Sequence, residues 1–155
     1  MPPTTCRSQF VNRGKIIVSD IISLSAFLNF LTHAGIGFVL ILIGLVAFAW
    51  TTKFSEIELI KAGNTAVALK LWGKAIGLAI IIYTVWSGSV SLLDAIVWGL
   101  IGIVLQVVAY WIIELIFRPK MDLEKLVEEG NIAVGFSLFS LGIVVGIVVG
   151  ASLTY

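Results

Sequence analysis

Four long stretches of this chain are almost free of charge, and such stretches have very few ways to fold. Ala34 to Trp50 carries no charged residue, and Thr65 to Trp86 is apolar apart from Lys70 and Lys74. Val90 to Phe117 is broken only by Asp94, Gln106 and Glu114, and Asn131 to Tyr155 has no charge at all. A helix needs about 20 predominantly apolar residues to cross a hydrocarbon core roughly 30 Å thick. Each run reaches that length with its flanks, whereas a β-barrel would alternate in segments of about ten residues. Composition points the same way: 59% of the 155 residues are hydrophobic, 12% are charged, and mean hydropathy is +1.10. So little polar surface cannot coat a water-soluble domain. The expectation is an all-α integral membrane protein with four transmembrane helices, whose solvent is the lipid bilayer.

The same arithmetic excludes several functions. Ten basic against nine acidic residues leave a net charge of +1, so no nucleic-acid partner is expected. A single cysteine, Cys6, allows no internal disulfide, and a single histidine, His33, allows no histidine metal cluster. His33 reads as an interfacial residue at the start of the first main span. No phosphate-binding glycine loop, zinc-protease helix, serine-nucleophile elbow or paired-cysteine motif occurs. No catalytic residue, metal or cofactor is therefore expected, and the chain does not read as an enzyme.

Along the chain, residues 1–19 form a polar tail with Arg7, Arg13 and Lys15. The apolar run after it is interrupted by Ser19, Asp20, Ser23, Ser25 and Asn29, with no convincing signal-peptide cleavage site. Asp20 suits the N-cap of a helix over 20–33, either an interfacial helix or an extension of the first span. A first two-span unit then covers 34–86, a turn 87–91, and a second two-span unit 92–155.

These units share a pattern. Lys53-Phe-Ser-Glu-Ile-Glu-Leu-Ile-Lys-Ala-Gly-Asn64 and Lys120-Met-Asp-Leu-Glu-Lys-Leu-Val-Glu-Glu-Gly-Asn131 superimpose at a shift of 67 positions. Leu59 falls on Leu126, Gly63 on Gly130, Asn64 on Asn131, and Ala66-Val67 on Ala133-Val134. A duplication with two spans per copy implies parallel repeats. Each connection reads as a short interfacial helix closed by Gly63 or Gly130 in the left-handed conformation. Asn64 and Asn131 then cap the next span, with a ligand or ion contact as the other reading. The duplicated acidic segment, Gly-Asn, Ala-rich entry and glycine-containing span resemble the bacterial membrane family catalogued as domain of unknown function 350. The resemblance covers Phe38 to Tyr155. It implies a four-span protein of the bacterial inner (cytoplasmic) membrane, associated with envelope stress, with no settled activity and no catalytic residues to carry over.

Polar residues within the spans are the candidates for function, because a charge near the bilayer centre costs about 2.5–3.5 kcal/mol on insertion scales. With the second span starting at Asn64, Lys70 lies about 9 Å and Lys74 about 15 Å along it. Counted from the turn near Ser89, Lys74 lies within about 3 Å of the depth of Gln106, and Lys70 reaches Glu114 only by stretching toward the interface. These four residues read as structural polar pairs or as an ion or anion pathway. The lysines have no counterpart in the second half, where Ser137 and Leu141 stand.

Gly73 and Gly77 share a stripe with the lysines, and Gly142, Gly146 and Gly150 form a longer stripe on the last span. Small residues let membrane helices approach closely, either within the chain or between copies. Trp50, Trp72, Trp86, Trp98 and Trp111 fall mostly near span ends, as interfacial anchors do.

The leading functional expectation is a structural or accessory membrane subunit that self-associates or packs in a larger membrane complex through glycine-rich faces. The alternative is a small channel or transporter subunit using the intramembrane lysines. Five basic residues on the Gly-Asn connections (Lys53, Lys61, Arg118, Lys120 and Lys125) outnumber three on the terminal side, so both termini are expected to be non-cytoplasmic.

Overall fold

The computed structural model describes residues 23–52, 55–117 and 121–153. The described residues form six helices: α1 (Leu24–Thr51), α2 (Glu56–Lys61), α3 (Thr65–Gly88), α4 (Leu92–Phe117), α5 (Leu123–Glu128) and α6 (Ile132–Ser152). Four of them, α1, α3, α4 and α6, are long and apolar enough to cross a membrane. The fold is an all-α membrane bundle.

By its internal contacts the chain divides into a unit over Met1–Ile36 and a unit over Gly37–Tyr155. In the first unit the described backbone enters α1 at Ser23, whose hydroxyl accepts from the Ala26 amide at 3.2 Å. Ser23 thus fills the capping role expected of Asp20, which lies outside the described residues. Residues 24–33 belong to the same helix as the run beginning at Ala34. His33 Nδ1 lies 2.8 Å from the Asn29 carbonyl, one turn back on that helix. The polar tail, with Cys6, Arg7, Arg13 and Lys15, lies outside the described residues, as do Lys53, Arg118 and Lys120.

In the second unit the two short helices are built alike, and for the same local reasons. Ser55 caps α2 by accepting from Glu58 N, and Asp122 caps α5 by accepting from Lys125 N. Gly63 and Gly130 have φ values of 90° and 87°, the left-handed region that only glycine enters without strain. Two hydrogen bonds close each end: Gly63 N to Ile60 O and Asn64 N to Leu59 O, then Gly130 N to Val127 O and Asn131 N to Leu126 O. This is the Schellman arrangement, which satisfies carbonyls that a helix terminus leaves unpaired. Asn64 and Asn131 then accept from Val67 N and Val134 N to start α3 and α6. At the opposite end of the bundle, Ser91 accepts from Asp94 N while Asp94 accepts from Val90 N, a reciprocal cap that opens α4.

Helix α3 is the spine of this unit, burying residues from Ala66 to Val85 on a broad face. Its most extensive contact is with α6, and glycine makes that contact possible. A Cβ on Gly135 would strike the Ala66 backbone at 2.6 Å, one on Gly142 the Gly73 backbone at 2.6 Å, and one on Gly146 the Gly77 backbone at 2.5 Å. From α3, a Cβ on Gly73 would strike the Phe139 backbone at 2.5 Å. These contacts advance along both helices together, so α3 and α6 lie side by side in the same direction. Backbones this close gain dispersion contacts that lipid cannot match, the main source of helix association in a bilayer.

The Gly142/Gly146/Gly150 stripe is therefore occupied by α3, with Gly150 against Thr84. Of the two readings of this stripe, packing within the chain is the one the face is used for. Helix α1 packs by Leu40, Gly44 and Phe48, and α4 by Ala95, Gly99, Gly102, Ile103, Gln106 and Tyr110. Trp50, Trp72 and Trp111 are exposed, as anchors should be. Trp86 and Trp98 instead pack partly buried against Ile81, Val85 and Ala95.

Candidate functional site

Helical periodicity puts Lys70, Gly73, Lys74 and Gly77 on one face of α3, and all four are buried. Both lysines are buried within the chain, at 3% and 1% exposure. Their counter-charge comes from an unexpected place. Glu56, the first residue of α2, folds inward at 7% exposure and sets one carboxylate oxygen between them. Lys74 Nζ donates to Glu56 Oε1 at 2.8 Å, and Lys70 Nζ lies 3.5 Å from the same oxygen. The Thr52 hydroxyl, at the end of α1, is 3.4 Å from Glu56 Oε1 and 3.4 Å from Lys74 Nζ, and donates to the Phe48 carbonyl at 3.1 Å. Two ammonium groups thus share a single carboxylate oxygen, with the Thr52 hydroxyl beside them accepting from Lys74.

The lysine ammonium is also enclosed by rings. Lys74 Nζ lies 5.1 Å from the Phe48 centroid and 5.6 Å from that of Tyr110, and those rings meet edge to face at 5.5 Å and 79°. Cation–π attraction of this kind gains strength away from water. Further along α4, Gln106 is wholly buried and packs on Gly77, where a Cβ would collide with Gln106 Nε2 and the Gly142 carbonyl. Among the described residues, neither polar atom of Gln106 nor the Tyr110 hydroxyl has a hydrogen-bond partner. An unpaired buried polar group costs roughly 1–3 kcal/mol, so this is a costly arrangement for packing alone.

The Lys74–Gln106 pairing expected from depth is thereby corrected. Lys74 pairs with Glu56 rather than Gln106, because α2 folds its first residue back against the bundle, a fold-back that counting along spans does not see. Glu114 contributes to the electrostatics at Lys74 from one turn beyond Tyr110. Lys70 pairs with Glu56 as well. Away from this cluster, Asn64 does more than cap. Its Nδ2 donates to the carbonyls of Val127 at 3.0 Å and Glu128 at 2.9 Å, joining the start of α3 to the end of α5. Gly63 and Gly130 serve their turns.

The family model described as Domain of Unknown Function (DUF350) matches residues 21–153, nearly the whole chain. This chain belongs to the DUF350 family. The match starts well before Phe38, so α1 is part of the shared domain. The DUF350 chain is 34% identical over 109 residues to the UPF0719 transmembrane protein YshE of Bacillus subtilis (strain 168), covering 70% of this chain and 81% of that one. It is 29% identical over 132 residues to the UPF0719 inner membrane protein YjfL of Escherichia coli (strain K12), covering 85% and 98%. No solved structure matches it.

In this DUF350 chain, sequence reasoning located Lys70, Lys74 and Gln106 but missed Glu56, Thr52, Phe48 and Tyr110. One signal was available: Glu56 departs from the duplication, since Leu123 stands at the shifted position. The half that carries the lysines is also the half that carries their carboxylate.

Proposed function

We propose that this chain is a non-enzymatic protein of the bacterial inner membrane that handles an ion at the Glu56–Lys70–Lys74 cluster, as a small channel or transporter subunit. The observation carrying this reading is the Lys74–Glu56 pair, buried beside the unpaired Gln106 and Tyr110. Desolvating such a pair costs as much as its attraction returns, and apolar residues of similar volume serve packing as well or better. Ionisable groups inside a membrane bundle mark ion or proton pathways for that reason. The names of the relatives, a transmembrane and an inner membrane protein, support the location.

The test is ion flux into proteoliposomes holding the purified chain, compared with protein-free vesicles and with Lys74→Met. Flux above the protein-free control that Lys74→Met abolishes, with the variant's melting temperature retained, is the expected result. Flux equal to that of empty vesicles would sink the proposal.

A second reading, an accessory subunit that assembles with itself or a larger membrane complex, is supported by the outer face of α1. There Val39, Leu42, Ile43, Val46 and Trp50 stay exposed over a shallow apolar groove. A native mass above that of one chain in mild detergent favours it.

A further inference from the structure

We infer that Lys70, Lys74 and Thr52 form a binding site for a small monovalent anion, which Glu56 occupies from within as a tethered carboxylate. The inference rests on the ion-handling reading above and gives it a ligand class.

The geometry around Glu56 is that of a bound anion. Two ammonium groups and a hydroxyl gather on Oε1 at 2.8, 3.5 and 3.4 Å, and they come from α3 and the end of α1. Charge-assisted donors arranged this way select for a negative oxygen or a halide and against any cation. Two further polar groups are buried on the neighbouring helix α4. Gln106 Nε2 and the Tyr110 hydroxyl are buried without partners, and the Tyr110 ring borders Lys74.

Glu56 is also weakly held by the rest of its own helix. Helix α2 has only six residues, and Ile57, Glu58 and Lys61 are exposed. Ile57 is 65% exposed. The carboxylate is the buried side chain of this short element, beside the half-buried Leu59 and Ile60. The space it vacates is that of one carboxylate, which sets the ligand size: formate or chloride fits, gluconate does not.

The experiment titrates formate and chloride against a gluconate background into detergent-purified protein and follows the melting temperature. A specific site gives a rise of about 3–5 °C in the native chain that grows with the logarithm of anion concentration. Glu56→Gln keeps the side-chain shape but gives up the competing charge, so its rise should be larger and begin at lower formate. Lys74→Met should lose the response. An equal rise with gluconate, or an undiminished rise in Lys74→Met, overturns the inference. If Glu56→Gln does not fold, carbon-13 formate decides: its line should broaden with native protein and not with Lys74→Met, and equal broadening by both overturns the site.

The two proposals fail separately. Saturable anion binding without flux in proteoliposomes keeps this site and sinks the ion-handling role. Flux that depends on Lys74 but with no anion response keeps the role and overturns the anion.

Discussion

Glu56 balances two buried lysines, and this makes the three residues unequal in their contribution to stability. Removing the carboxylate with Glu56→Ala takes the 2.8 Å partner from the buried Lys74 ammonium and leaves it facing Lys70, at a cost of about 3–5 kcal/mol. Lys74→Met removes a desolvated charge and leaves Glu56 beside Lys70 and Thr52, so it should cost about 1 kcal/mol or less. Combining the two should cost less than their sum, because each substitution removes part of the other's penalty. Denaturation of the single and double variants in one detergent measures this directly. Equal costs for the two single substitutions would mean that Glu56 is not the shared centre. Lys70 and Lys74 were legible as expensive residues because a charge inside a span stands out in any window. Their partner was not legible, since Glu56 lies in a charged connection where an acidic residue is unremarkable.

Among the helices, the joints decide which residues are sensitive. Gly142→Ala places a methyl 2.6 Å from the Gly73 backbone, which cannot rotate away, so α3 and α6 must separate. A loss of about 2–3 kcal/mol follows from overpacking of this kind. Gly88→Ala meets nothing within 4 Å and should be neutral or slightly stabilising. Gly146→Leu should likewise lower the melting temperature sharply while leaving the native mass unchanged, since the face it disrupts is internal. A change in mass at unaltered stability would contradict that. The two caps differ as well. Asn131→Ala loses one capping bond, at about 1 kcal/mol. Asn64→Ala also abandons the carbonyls of Val127 and Glu128, which adds about 1 kcal/mol, so Asn64 should be the more costly of the pair in matched melts.

For the chain as a membrane-embedded body, four spans place the α2 and α5 connections on one side and the Ser87–Ser91 turn on the other. Lys53, Lys61, Arg118, Lys120 and Lys125 bias the connection side toward the cytoplasm, and acidic neighbours count little in that rule. In a background lacking Cys6, Val90→Cys, whose parent residue is 94% exposed, should react with an impermeant maleimide in cells whose inner membrane is intact. Ser55→Cys should react only after lysis. The reverse pattern would invert the topology.

The solvent, the four spans and the two capped connections were all readable from the order of residues. Each of these depends on residues close together in the chain: an apolar run long enough for the bilayer, or Gly63-Asn64 and Gly130-Asn131 meeting the demands of one helix end and the next. Which faces meet was a matter for the packed bundle. A glycine stripe on a lipid-compatible helix looks the same whether its partner is another helix of the chain or a second copy. Gly142, Gly146 and Gly150 became internal because α3 presents Gly73, Gly77 and the small Thr84 at matching heights. The same packing set Gln106 over Gly77 and Tyr110 beside Lys74, while α2 turned Glu56 inward. Electrostatic partners inside a membrane are chosen by reach in three dimensions, and depth along a span supplies only one of them.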